Sequence, residues 1–222
     1  MKSIVTKIFG LLLLASLTSC FEIREEVNMK ANGSGEVLLV VNLSESKDNV
    51  RRYLKLGKFE AVNLPHQDDV ESMLQHVKVI LEGAEGISNV QTRADWTNFV
   101  FRVSSRFASI QALNDAIAAL GEKMDYLHMK KVEQPNYRYN GGQFQRFYDS
   151  PMEPKDYYSL TSSQRHILES ARMTSIYRFD KTIRQYSNKS SQLSPGGKAI
   201  MLRLPISELA KGTATLANTV SF

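Results

Sequence analysis

Cysteine is almost absent from this chain: of 222 residues only Cys20 is one, so no disulfide can form within it and stability must come from packing. No Ser/Gly/Pro-rich tether interrupts the sequence, and prolines number six. No apolar run approaches the ~20 residues that a membrane-spanning helix needs. The four histidines, His66, His76, His128 and His166, are not paired with each other, Cys or a carboxylate in a zinc-site spacing. No Gly-x-Ser-x-Gly elbow occurs, and Gly141-Gly142 and Gly196-Gly197 lack the Lys-Ser/Thr of a phosphate loop. Neither a metal site nor a cofactor is expected, and the chain is expected not to be an enzyme.

What is present begins at the N-terminus. Lys2 and Lys7 precede the apolar residues Ile8, Phe9 and Leu11 to Leu14, a run of signal-peptide length. The small residues Thr18 and Ser19 then lead directly into Cys20. Leu17-Thr18-Ser19-Cys20 resembles a bacterial lipobox. That resemblance implies a signal peptide over residues 1–19, cleavage between Ser19 and Cys20, and acylation of Cys20 by chains such as palmitate. It also explains a lone cysteine in an exported protein. Two or more acyl chains anchor a protein stably, where one chain binds only marginally. The expected location is the cell envelope. Phe21, with no Asp beside it, resembles the default for outer-membrane delivery, and Glu22, Glu25 and Glu26 are a loose match to surface export; the periplasmic and surface faces both stay open.

Ile23, Val27 and Met29 already alternate as in a strand, so folded structure starts next to Cys20. At ~3.5 Å per extended residue, the domain sits close against the bilayer. The mature length suffices for one good core or two small ones. The formal charge is +5, unevenly spread: residues 20–128 hold 12 Lys/Arg and 16 Asp/Glu, whereas residues 129–198 hold 12 and 6. A basic second half reads first as a solvated face with no partner, and second as a contact with an anionic membrane. An exported protein excludes nucleic acid as partner.

Periodicity predicts an α+β fold, an antiparallel sheet built from β-hairpins with helices packed on one face. Residues 22–31 and 36–43 read as a hairpin turning at Asn32-Gly33-Ser34-Gly35. Residues 44–56 read as a helix, and 57–65 as a break. Val70, Met73, Leu74, Val77, Ile80 and Leu81 form one helical stripe, with Asp68 and Asp69 at its positive end. A second hairpin spans 87–94 and 99–107, followed by a helix over 110–120. Within its turn, Asp95-Trp96 reads either as a sugar platform or as a cover on the end of a core.

Beyond residue 129 the chain changes character, giving regions 20–128 and 129–222, the second continuing the same domain. Asn140-Gly141-Gly142 predicts a hairpin turn, residues 149–156 a loop, and Thr161-x-x-Gln164 a capping box opening a helix to about residue 173. Strands are expected over 175–184 and 198–204, a helical turn over 205–209 and a last strand within 213–222. The hairpin residues Tyr137, Arg138, Tyr139, Phe144, Arg146, Phe147 and Tyr148 are the candidate binding patch, since Tyr, Phe and Arg are enriched at interfaces. The competing reading is an edge hairpin whose aromatics cover the sheet.

The segments "EEVNMKANGSGEVLLVVNLS", "GISNVQTRADWTNFVFRVSSRF", "IQALNDAI" and "SIYRFDKTI" resemble a group of uncharacterised envelope lipoproteins of Bacteroidota. More distantly, the hairpin–helix layout is similar to LppM-type lipoprotein domains, which are associated with lipid binding. The group implies no catalytic residue. The function expected is a non-enzymatic, membrane-anchored lipoprotein that binds an envelope protein or a lipid near the bilayer. A glycan-acting hydrolase using Asp/Glu pairs and a structural subunit of an envelope complex are the alternatives.

Overall fold

The structure, a computed structural model, describes residues 21–59, 62–63, 65–123, 135–147 and 153–222. Ser19, Cys20 and Tyr148 of the expected sites lie outside the described residues, as do the signal segment and His128.

The fold is α+β. Strands β1 (Glu22–Met29) and β2 (Gly35–Asn42) form the first hairpin, in unbroken register from Glu22↔Asn42 to Met29↔Gly35. Its turn closes where Gly33 takes a φ of 86° and the Asn32 side chain accepts hydrogen bonds from the Ser34 N–H and hydroxyl. A 3-10 turn, Ser44–Ser46, leads into α1 (Lys47–Leu56), where a longer helix was expected. The short ribbon β3 (Lys58–Phe59) and β4 (Val62–Asn63) occupies the predicted break. The apolar stripe forms α2 (Gln67–Glu82), with Leu74 and Leu81 buried. The second hairpin, β5 (Ile87–Asp95) and β6 (Val100–Phe107), and α3 (Ile110–Lys123) follow.

Strands β7 (Tyr137–Tyr139) and β8 (Gln143–Arg146) pair as the Asn-Gly-Gly turn demands. The helix predicted from Thr161 is α5 (Ser162–Ser170), ending three residues early, and a further short helix, α4 (Pro154–Ser159), precedes it. Leu160 is extended between them, and Pro154 at the first turn starts a helix inside the expected loop. The Thr161–Gln164 capping box is present, with the Gln164 N–H donating to Thr161 Oγ1 at 3.2 Å. Then come β9 (Arg172–Phe179), β10 (Gln185–Tyr186), β11 (Gln192–Leu193), β12 (Ala199–Pro205), α6 (Ile206–Ala210) and β13 (Asn218–Ser221).

The main sheet has seven strands in the order β11-β12-β9-β1-β2-β6-β5. It draws strands from both sides of the composition change at residue 129. One pairing corrects the expected all-antiparallel sheet: β1 and β9 run parallel, Glu22↔Arg172 through Met29↔Phe179. A period-2 pattern specifies faces but not strand direction, so the sequence carried no sign of it.

One face of this sheet is covered. Val27 and Met29 of β1, Tyr177 and Phe179 of β9, Phe107 of β6 and Ile200 of β12 lie on it in one core cluster. Helices α2 and α3 pack over the β5–β6 side through Leu81, Val90 and Ala116. Leu202, Leu204 and Leu209 form a third cluster under α6. The helices share that face with a second sheet, β10-β13-β8-β7, whose Phe144 and Val220 are fully buried in the first cluster. On the opposite face Val40 and Thr174 are buried at 3%, while Arg93, Arg106, Arg178 and Arg203 are exposed.

Candidate functional site

The predicted aromatic–basic patch is mostly core. Tyr137, Phe144 and Arg146 are buried, Tyr139 and Phe147 are half-buried, and Arg138 alone is exposed. Tyr137 and Phe144 stack at 5.9 Å, and Phe144 meets Tyr177 at 5.1 Å and Phe179 at 5.3 Å. The hairpin therefore brings Tyr137 and Phe144 into the core against the main sheet, where they are covered, while Arg138 lies over the half-buried Phe147 ring. Alternation is the cause: Tyr137 and Tyr139 on β7, and Phe144 and Arg146 on β8, point to the side on which the other sheet lies.

Arg146 ends in a buried junction between the two sheets. It reaches Glu25 Oε2 at 3.1 Å, with Arg146 7% and Glu25 8% exposed. The guanidinium also donates to Asn136 O, Asn136 Oδ1 and Phe147 O, and lies 4.8 Å from the Tyr137 ring centroid. The other Glu25 oxygen accepts from the Tyr177 hydroxyl at 2.7 Å. Asn114 of α3 holds the Tyr137 backbone from both sides, donating to its carbonyl at 2.8 Å and accepting from its N–H at 3.0 Å. Burial, and then the Glu25 charge, push the Tyr137 and Tyr177 phenols above their ordinary value of 10.0. Burial by itself would depress the Arg146 guanidinium; the Glu25 carboxylate reverses this and holds it above its ordinary value. The junction is enclosed and its two opposite charges are paired, so it serves the fold. Strand alternation was the available signal for Glu25, which shares a face with Ile23, Val27 and Met29.

The Asp95-Trp96 turn covers the end of a core. Asp95 Oδ1 accepts from the Thr97 and Asn98 N–H groups, and the Asn98 amide donates to Oδ2, which together lower the Asp95 carboxyl. Trp96 meets Phe101 edge-on at 5.1 Å, and its indole N–H donates to Glu71. Asp69 accepts from the His66 N–H and so caps α2. His76 is exposed.

Two surfaces remain. One is the end of the main sheet where β1 begins. A shallow depression there is lined by Phe21, Glu22, Asn42, Glu45, Arg172 and Arg203. Beside it α1 lies against the Trp96 turn: Arg51 stacks 5.8 Å from the Phe99 ring centroid, and the Leu43 N–H bonds to the Phe99 carbonyl. This helix carries Lys47, Arg51, Arg52 and Lys55 against a single acid, Asp48, and buries none of its residues fully. Leu56 at its end is 63% exposed. The other surface is the sheet face opposite the helices, where Arg93, Arg106, Arg178 and Arg203 are exposed.

No protein-family model matches the chain, and no curated protein matches it. Among solved structures the folded domain of the LppM protein of Mycobacterium tuberculosis, determined by NMR, has a weak likeness to it: TM-score 0.37 and 10% identity, over 90% of this chain and 87% of that one. Among the described residues, no helix is long and apolar enough to cross a membrane.

Proposed function

We propose that this protein is a non-enzymatic lipoprotein of the cell envelope, anchored through acylated Cys20 and working at the membrane surface, where it binds a lipid or a protein partner. The observation that supports it most is how β1 starts. Strand pairing begins at Glu22, two residues after Cys20, and β1 is the central strand of the main sheet. A lipid on Cys20 would thus hold the sheet directly, without slack. Phe21 is itself tied in, its carbonyl accepting from the Arg172 N–H at 2.9 Å. The lipobox-like Leu17-Thr18-Ser19-Cys20 and the resemblance to envelope lipoproteins of Bacteroidota support the same reading, with the outer membrane as the destination.

The partner-binding surface moves from the buried hairpin to the β1-start end, where α1 sets cationic side chains beside exposed Leu56. The reading is tested by intact-mass analysis of the protein taken from its own membranes. A mature chain starting at Cys20 with added diacylglyceryl and acyl mass is expected, and Cys20→Ala should release the protein from the membrane fraction. An unmodified Cys20 in a membrane-free protein would overturn the reading.

A further inference from the structure

We propose that a row of arginines across the sheet face opposite the helices seats the phosphates of anionic lipid headgroups. This rests on the anchored reading above and names the ligand it would meet. The register aligns Arg93↔Arg102, Arg102↔Val40, Val40↔Arg24, Arg24↔Thr174 and Thr174↔Arg203. Residues paired in register share a face. One line perpendicular to the strands therefore reads Arg93, Arg102, Val40, Arg24, Thr174, Arg203, from β5 to β12. With strands ~4.8 Å apart, it spans roughly 24 Å.

Two of these arginines have acids. Arg24 lies 3.0 Å from Glu26, without the alignment of a hydrogen bond, and Arg203 lies 3.6 Å from Glu22. Arg93 feels the Asp95 carboxylate two residues along β5, but among the described residues no hydrogen bond or ion pair holds Arg93 or Arg102. They stand directly opposite one another, and like charges so placed destabilise a sheet. An oxyanion between them would turn that repulsion into a charge-assisted contact, because guanidinium matches phosphate geometry.

Position selects the lipid as the source. Arg24 is four residues from Cys20, at most ~14 Å of extended chain. Because the row crosses the strands at right angles, a sheet standing on the bilayer carries all its guanidiniums at one depth. Basic α1 lies at the same end and adds to the positive potential. Val40 and Thr174 within the row are buried at 3%, so what it presents is its charged ends, and no member is aromatic, which suits headgroups rather than acyl chains.

The test is flotation of purified full-length protein with phosphatidylcholine vesicles, with and without phosphatidylglycerol. Acylated wild type should float with both. The Cys20→Ala protein should float only with phosphatidylglycerol, and lose this at high salt. Adding Arg93→Gln and Arg102→Gln should weaken that binding roughly tenfold or more. The same two changes should leave thermal stability without lipid equal or raised, since they remove a repulsion; this shows that lost binding is not lost folding. Failure of Cys20→Ala protein to bind phosphatidylglycerol vesicles would overturn the arginine row while leaving acylation, read by mass, intact. Full competition by millimolar inorganic phosphate would overturn the lipid as the source. An unacylated wild type that still binds anionic vesicles through Arg93 and Arg102 would sink the anchor and keep the row.

Discussion

Glu25 and Arg146 hold opposite charges in a space that excludes water, and each is the other's main compensation. Breaking such a pair leaves an uncompensated buried charge, which costs about 3–5 kcal/mol. Arg146→Met should therefore lower the urea unfolding free energy by that amount. Glu25→Gln in the same chain should recover part of it, because the orphaned carboxylate is gone. Tyr177→Phe takes the hydrogen bond from Glu25 Oε1 and should cost about 1–3 kcal/mol.

The same junction sets a response to alkali. Tyr137 and Tyr177 are raised above 10.0 in the folded protein. The unfolded chain then loses these protons first as pH rises, so it binds fewer than the folded state does. Stability is fully present below pH 10 and falls as pH climbs above it. Denaturant midpoints should drop progressively above that pH, and Tyr177→Phe should make the drop shallower. An unchanged slope in that variant would show that Tyr177 ionises freely in the native state.

Elements made from local signals were legible, and those depending on distant partners were not. The Asn32-Gly33 turn, the α2 stripe and the capping box at Thr161 each lie within a few residues of chain, and each is found where periodicity and turn chemistry put it. The parallel pairing of β1 with β9 depends on residues about 150 positions apart, and no local pattern encodes it. Arg146 illustrates the same limit for the candidate site. An arginine is rarely fully buried, so residue type argued for a surface, and only the position of Glu25 across the layer explains its burial. The arginine row was hidden for a like reason: its members come from four strands and align only once the register is known.

Two changes test these elements. Thr161→Ala removes the acceptor for the Gln164 N–H and should cost about 1 kcal/mol, with Thr161→Ser close to wild type. Gly35 is a matter of space. A Cβ there would lie 2.2 Å from the Asn28 carbonyl oxygen and 2.6 Å from Phe107 Cζ. The backbone atom cannot swing aside as a side-chain tip can, so Gly35→Ala should destabilise by about 1–3 kcal/mol or more, read in thermal unfolding.

At the scale of the molecule, the decisive contact is between the two sheets. Strand β13 runs between β10 and β8 in the second sheet, at the extreme C-terminus. Its Val220 is fully buried in the core shared with β1 and β9, and the Phe222 ring packs 4.8 Å from Phe179. Without β13, Phe144 loses its in-register partner Val220, and β10 loses its place in the sheet. The rings that cover Val27 and Tyr177 would then be held by β7 and β8 alone, and an isolated two-stranded hairpin is marginally stable at best. A chain ending at Ala217 should therefore lose cooperative unfolding, not merely stability. If the sheets were separate units, the truncated chain would keep a sigmoidal urea transition with a smaller slope, because less surface would be exposed on unfolding. The shared core argues for the first result: seven strands are sealed on one face by four more, and the arginines stand on the opposite face.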